Sequence, residues 1–211
     1  GLFIGLFNGL VITKFSLPPF VATLAMLTIA RGATMLYTQG IPISNLGPKF
    51  EYIGSGWLLG IPVPVWISIL LVLLVVFISQ KTAFGRHIYA IGGNEKAAFL
   101  SGINIQVTKL IVYGISGMMA AVGGIMVTSR LNSAQPNAGA SYELDSIAAV
   151  VIGGTSLSGG IGTVTGTVIG AAIIGVLNNG LVLLNVSPFW QQVVKGLVIL
   201  LAVIIDRKSK K

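Results

Sequence analysis

Apolar residues in this chain fall in long blocks separated by short polar or glycine-rich stretches. A bilayer core about 30 Å thick needs roughly 20 apolar helical residues, with about 17 to 25 tolerated, and four blocks approach that length. Phe20–Tyr37 is apolar except for Arg31, and Val63–Ser79 is the most hydrophobic run. Leu110–Ser129 carries no charge, and Thr163–Leu184 is uncharged but rich in glycine. A fifth block, Phe189–Ile205, is interrupted by Gln191, Gln192 and Lys195. Two shorter pieces remain, Gly1–Thr13 and Ser146–Leu157. The opening GLFIGLFNGLVIT lacks the charged start of a signal peptide. It reads as the second half of a membrane helix, so the chain is expected to be the C-terminal part of a longer protein.

Composition agrees with lipid as the solvent. Hydrophobic residues make up 54% of the 211 and charged residues 9%, against about 25% charged in a soluble domain. Mean hydropathy is +0.93. A disordered chain, a coiled coil and an ordinary cytosolic enzyme are excluded. Cysteine is absent, which removes disulfide scaffolds, thiol catalysis and Cys-type zinc sites.

The net charge of +8 would suggest nucleic acid if the basic residues formed one patch. They sort by topology instead, because Lys and Arg in short loops favour the cytoplasm, and no nucleic-acid partner is expected. The tail Asp206–Lys211 and the Gln80–Lys109 segment are both placed inside on this rule. An even number of crossings must separate them. Leu110–Ser129, Thr163–Leu184 and Phe189–Ile205 supply three, so Ser146–Leu157 must supply a fourth. It is short for a span, and a half-helix with a glycine-lined break is expected near residues 146–162, enclosed by protein because lipid offers no hydrogen bonds. The inside then holds Lys14, Lys81, Arg86, Lys96, Lys109, Arg207, Lys208, Lys210 and Lys211 against Glu95 and Asp206, a balance of +7. The outside balances at zero: Arg31, Lys49 and Arg130 against Glu51, Glu143 and Asp145. Lys195 lies within a span, where it and Arg31 are costly and therefore functional candidates; snorkelling to the interface is the plainer alternative.

Glycines at Gly114 and Gly117, at Gly123-Gly124, and at Gly162, Gly166, Gly170 and Gly175 have the spacing that lets two membrane helices approach closely. Gly153-Gly154 and Gly159-Gly160 could instead be hinges or path-lining backbone. GGTSLSGGIGTVTG is no phosphate loop, since GxxxxGK is missing and no Lys lies between Lys109 and Lys195. His87 stands without a second His or carboxylate, so no metal is expected, and no nucleophile–base pair or carboxylate dyad suggests an enzyme.

Two polar segments carry the remaining chemistry. In FGRHIYAIGGNEKAAFLSGINIQVTK, Asn94 is placed to cap a short helix over Ala97–Leu100 with Glu95 in its first turn, and Gly102 to end it. Flanked by Gly92-Gly93 and Gly102, this helix suits docking into another protein; a solvated connection is the alternative. In RLNSAQPNAGASYELD, the polar groups of Asn132, Gln135, Asn137, Glu143 and Asp145 could line or gate a polar path. Asp145-Ser146 is expected to cap the half-helix that follows, whose N-terminus favours negative charge.

GRHIYAIGGNEKAAFLSGINI, the YELDSIAAVVIGGTSLSGG block, the LNNGL run at Leu177–Leu181 and FVATLAMLTIARGATMLYTQG together resemble the permease subunits of bacterial ribose-type sugar ABC importers. The resemblance runs over essentially the whole chain. It implies an all-α, polytopic membrane bundle, residues 1–211 forming a single permease domain that lacks the N-terminal helices, with a coupling loop at 81–109. It implies a monosaccharide cargo, ribose first. Its implied partners are a cytoplasmic ATPase subunit that uses the ATP, a periplasmic sugar-binding protein, a second permease copy and membrane lipid, with no cofactor bound by this chain. The expected location is the bacterial inner membrane, with the C-terminus cytoplasmic. Gly92, Gly93, Asn94, Glu95, Ala97, Ala98, Ser101 and Gly102 take the coupling positions, and the resemblance favours docking over a plain loop. A secondary transporter or facilitator is the rival; inverted repeats or an intramembrane ionisable pair would be expected of it, and the sequence displays neither.

Overall fold

A computed structural model describes the backbone of residues 1–209, and side chains through residue 200 apart from Pro188 and Ile199. Lys210 and Lys211, on which the inside placement of the tail partly rests, lie outside the described residues. So do the side chains of Asp206, Arg207 and Lys208. The described chain is predominantly helical. Its elements are α1 (Leu2–Phe15), α2 (Pro19–Thr38), β1 (Ile43–Ser44), α3 (Pro48–Ser55), β2 (Trp57–Leu58), β3 (Ile61–Pro62), α4 (Val63–Lys81), α5 (Ala83–Gly93), α6 (Glu95–Leu100), α7 (Ile105–Leu131), β4 (Ser133–Ala134), α8 (Tyr142–Ile152), α9 (Val164–Leu183) and α10 (Pro188–Ser209).

The four blocks of near-spanning length become α2, α4, α7 and α9, each long and apolar enough to cross a membrane. α4 buries none of its 19 residues, and large apolar side chains such as Phe77 and Leu70 are exposed along it. Such a surface would be ruinous in water and is what lipid contact requires. The fifth block forms α10. The half-helix also appears: α8 has 11 residues and stops at Ile152, and a turn-rich stretch runs from Gly153 to Thr163 before α9. Gly154, Gly159 and Gly160 in that stretch all have positive φ, a conformation that glycine adopts at no steric cost.

The chain divides into two compact units, residues 1–71 with 104–139 and residues 72–103 with 140–211. In the first, α1 lies along α7 with backbones in contact. A methyl group on Gly5 would strike the Tyr113 carbonyl, and one on Gly117 would strike Gly1 and Gly5. Gly114 faces Leu6. The small-residue spacing thus marks a helix contact here. Around Gly123, Gly124 and Gly175 the space is open among the described residues.

The same unit contains a clasp of which the hydrophobic pattern holds no hint. β1 pairs antiparallel with β4, Ile43 opposite Ala134 and Ser44 opposite Ser133. β2 and β3 form a tight hairpin across Leu59 and Gly60, both at positive φ as a two-residue hairpin turn demands. Asn132, itself at φ 45, ends α7. Its Oδ1 accepts from Leu46 N at 3.1 Å and its Nδ2 donates to Glu51 Oε2 at 3.2 Å. The buried Ser129 hydroxyl donates to the Phe50 carbonyl of α3.

In the second unit α8 packs on α9 and α10. Ala149 and Gly153 meet Gly170 and Gly166 backbone to backbone, and buried Ala148, Ala149 and Ile174 form the small core between α8 and α9.

Candidate functional site

The polar segment expected to be a loop is mostly helix. Thr82 caps α5 by accepting from Gly85 N at 3.2 Å. Gly85 lies so close to the Ser79 carbonyl that no side chain fits, which folds α5 back directly after α4. Gly92 and Gly93 form the last residues of α5, and Gly92 packs against a close neighbour. That neighbour is the glycine stretch after α8. A methyl group on Gly92 would stand 2.6 Å from Gly160 N, and one on Gly159 would stand 2.6 Å from the Gly92 carbonyl oxygen. Tyr89, one turn earlier, donates its hydroxyl to the Gly162 carbonyl at 2.9 Å.

α6 follows after a single residue: Asn94 is both the C-cap of α5 and the N-cap of α6. Its side chain accepts from Ala97 N at 3.0 Å. At the other end Gly102 has φ +84, its N–H donates to the Phe99 carbonyl at 2.9 Å, and the Ile103 N–H donates to the Ala98 carbonyl at 3.1 Å. These two bonds are the Schellman arrangement. Asn94 and Gly102 thus cap the helix as their residue types predict, and the helix starts at Glu95 rather than Ala97. Ala98 is buried while Phe99 and Leu100 are 68% and 84% exposed. Phe99 and Leu100 thus place two adjacent bulky apolar side chains at the surface of α6.

Between α5 and the glycine stretch lies a cleft of about 360 Å³, lined in part by Ile88, Tyr89, Thr155, Ile161 and Thr163. The path and gate candidates scatter. Gly159 and Gly160 meet Gly92 and Gly93, and Gly153 meets Gly166, while the space around Gly154 is open. Asn132 is engaged by Leu46 and Glu51. Gln135 and Asn137 are exposed beyond β4, and Glu143 is exposed in the first turn of α8.

Asp145 departs from expectation. Helix α8 begins at Tyr142, earlier than expected, so Asp145 sits inside its first turn, and the N-cap is Ser141, which makes no side-chain cap bond. The Asp145 carboxylate instead straddles the Lys195 ammonium. Lys195 Nζ donates to Oδ2 at 2.9 Å and stands 2.8 Å from Oδ1. Lys195 therefore has a counter-ion within reach. An ion pair between Asp145 and Lys195 is present, and local sequence held no sign of it because 50 residues separate its members.

The family whose pattern matches residues 1–203 is described as the permease component of branched-chain amino acid transport systems. The chain belongs to this permease family. Among curated proteins, the ribose import permease of Bacillus subtilis is 56% identical over 204 residues, covering 96% of this chain and 63% of that protein. The ribose import permease of Escherichia coli K12 is 50% identical over 215 residues, covering 100% and 67%. The L-arabinose transport system permease protein of E. coli K12 is 41% identical over 204 residues, covering 97% and 62%. The chain thus spans about two thirds of the length of these relatives. No solved structure gives a significant match. A multi-pass membrane protein of the permease type accounts for the long apolar helices and for the bulky side chains they expose.

Proposed function

We propose that this chain is part of the membrane permease subunit of an ATP-driven importer that carries a monosaccharide, ribose in the first instance, across the bacterial inner membrane. The observation that carries the reading is the 56% identity to a ribose import permease across nearly the whole chain. In this reading two permease copies enclose the path, a periplasmic binding protein delivers the sugar, and a cytoplasmic ATPase subunit docks on α6. ATP-driven closure of the ATPase moves α6, and the shift between outward- and inward-facing populations follows from that differential interaction rather than from sugar affinity. Exposed Phe99 and Leu100 on a helix capped at both ends supply a rigid apolar knob for such docking.

The test is affinity purification of the full-length permease co-expressed with the neighbouring ATPase, together with ribose uptake. Leu100→Asp should abolish ATPase recovery and uptake while the amount of permease in the membrane stays unchanged. Retention of both by this variant would remove α6 as the docking element.

The pair of Asp145 and Lys195 favours a second reading, a secondary transporter driven by an ion gradient. Ribose accumulation in ATP-depleted vesicles under an imposed proton gradient would support it; uptake that requires ATP excludes it.

A further inference from the structure

The ion pair of Asp145 and Lys195 lies outside the α5–α6 site, and nothing in the coupling reading uses it. The Lys195 and Asp145 side chains are only 16% and 20% exposed. Lys195 is two turns into α10, about 10 Å along the axis from its start, with Val193 and Leu197 beside it. Two charges placed there forfeit hydration, and the loss is offset only when they meet each other in good geometry. Lys195 Nζ donates to Oδ2 and stands 2.8 Å from Oδ1, which accepts no hydrogen bond among the described residues, so the lysine is the partner that offsets the loss.

The two ends of α8 are held by different physics. Its C-terminal half rests on α9 through Ala149 and Gly153 against Gly170 and Gly166, a van der Waals contact of small residues. Its first turn has no side-chain cap at Ser141. Beside the packing of α8 on α10, the polar tie of that turn is the reach of Asp145 to Lys195. Asp145 lies seven residues before Ile152, where α8 gives way to the glycine stretch, so its anchorage sets the axis along which that stretch is presented.

We propose that Asp145 and Lys195 are positioning residues: the pair pins the first turn of half-helix α8 to α10, and neither side chain contacts the transported sugar. The proposal rests on the permease reading. A carboxylate that bound sugar hydroxyls would need its own identity and place. A carboxylate that serves only as the mate of a lysine can exchange places with it.

The experiment uses the full-length permease with its partners, in a strain without its own ribose permease. One readout is ribose uptake. The other is N-ethylmaleimide labelling of Ala148→Cys, a position that is 0% exposed on α8, in a protein whose upstream cysteines, if any, are replaced by serine. Lys195→Met and Asp145→Asn should each lower uptake by about tenfold or more, the order expected when one member of a buried pair is removed. Each should also render the introduced thiol reactive. The exchange Asp145→Lys with Lys195→Asp should restore both readouts. Normal uptake in the single variants overturns the proposal, as does a membrane-inserted exchange variant that recovers neither readout. Should the exchange variant not insert, Lys195→Arg must retain uptake and Lys195→Gln must lose it; equal behaviour of the two also overturns it. Absence of ribose uptake by the unmodified protein would count against the permease reading instead, and labelling of the introduced thiol would still report on the pair.

Discussion

Gly102 isolates a purely conformational requirement. Its φ is +84, and no atom lies within 4 Å of where a side chain would start. A substitution there meets no steric neighbour and pays only for the left-handed backbone, about 1 to 2 kcal/mol for an L-residue. Gly102→Ala should therefore destabilise the C-terminal end of α6 by about 1 kcal/mol, with Gly102→Asn costing less because Asn tolerates that region. Hydrogen exchange of the amides at positions 102 and 103 in detergent-solubilised protein would register the difference; equal protection in the Ala and wild-type forms would contradict it. Gly92 poses the opposite case: its φ is ordinary, and the Gly160 backbone bars a side chain. The first kind was legible through its place after Asn94 and a helix-length run, and contact glycines such as Gly166 and Gly170 were legible through their four-residue spacing. Gly92 has no such spacing, and its partner lies far along the chain, so local pattern gave no sign of its contact.

At the scale of elements, apolar block length located every long helix, because a membrane span must satisfy its backbone internally over a fixed thickness. Pattern failed where polar atoms close a tertiary contact. Asn132 looked like a group that could line a polar path, yet it joins the end of α7 to Leu46, just before α3, and to Glu51 within it. Asp145 looked like a cap because helix starts favour acids, and its distant lysine was invisible. The clasp yields its own prediction. Asn132→Ala removes two hydrogen bonds, one to a carboxylate, and should lower stability by about 2 kcal/mol, seen as a reduced melting temperature in detergent. Glu51→Gln, which leaves an acceptor facing Asn132 Nδ2, should cost clearly less. A larger effect for Glu51→Gln would mean that the Asn132 contact is not the one holding α3.

For the whole molecule, charge remains the strongest guide to orientation. Lys14, Lys81, Arg86, Lys96 and Lys109 fall at helix ends or in the α5–α6 segment, outside the cores of the long apolar helices, and the positive-inside rule predicts that they face the cytoplasm. An alkaline phosphatase fused after Lys211 should be inactive and a green fluorescent protein at the same point bright; the reverse result would invert every loop. The single residue joining α5 to α6 has a further consequence. Because Asn94 caps both helices, the joint contains no slack, and the stretch from Tyr89 to Phe99 behaves as a ruler. One inserted residue would swing α6 by about 100° about its axis, turning Phe99 and Leu100 away from their present face while leaving every cap and glycine intact. What this segment must preserve through sequence drift is a count of residues as much as their identity.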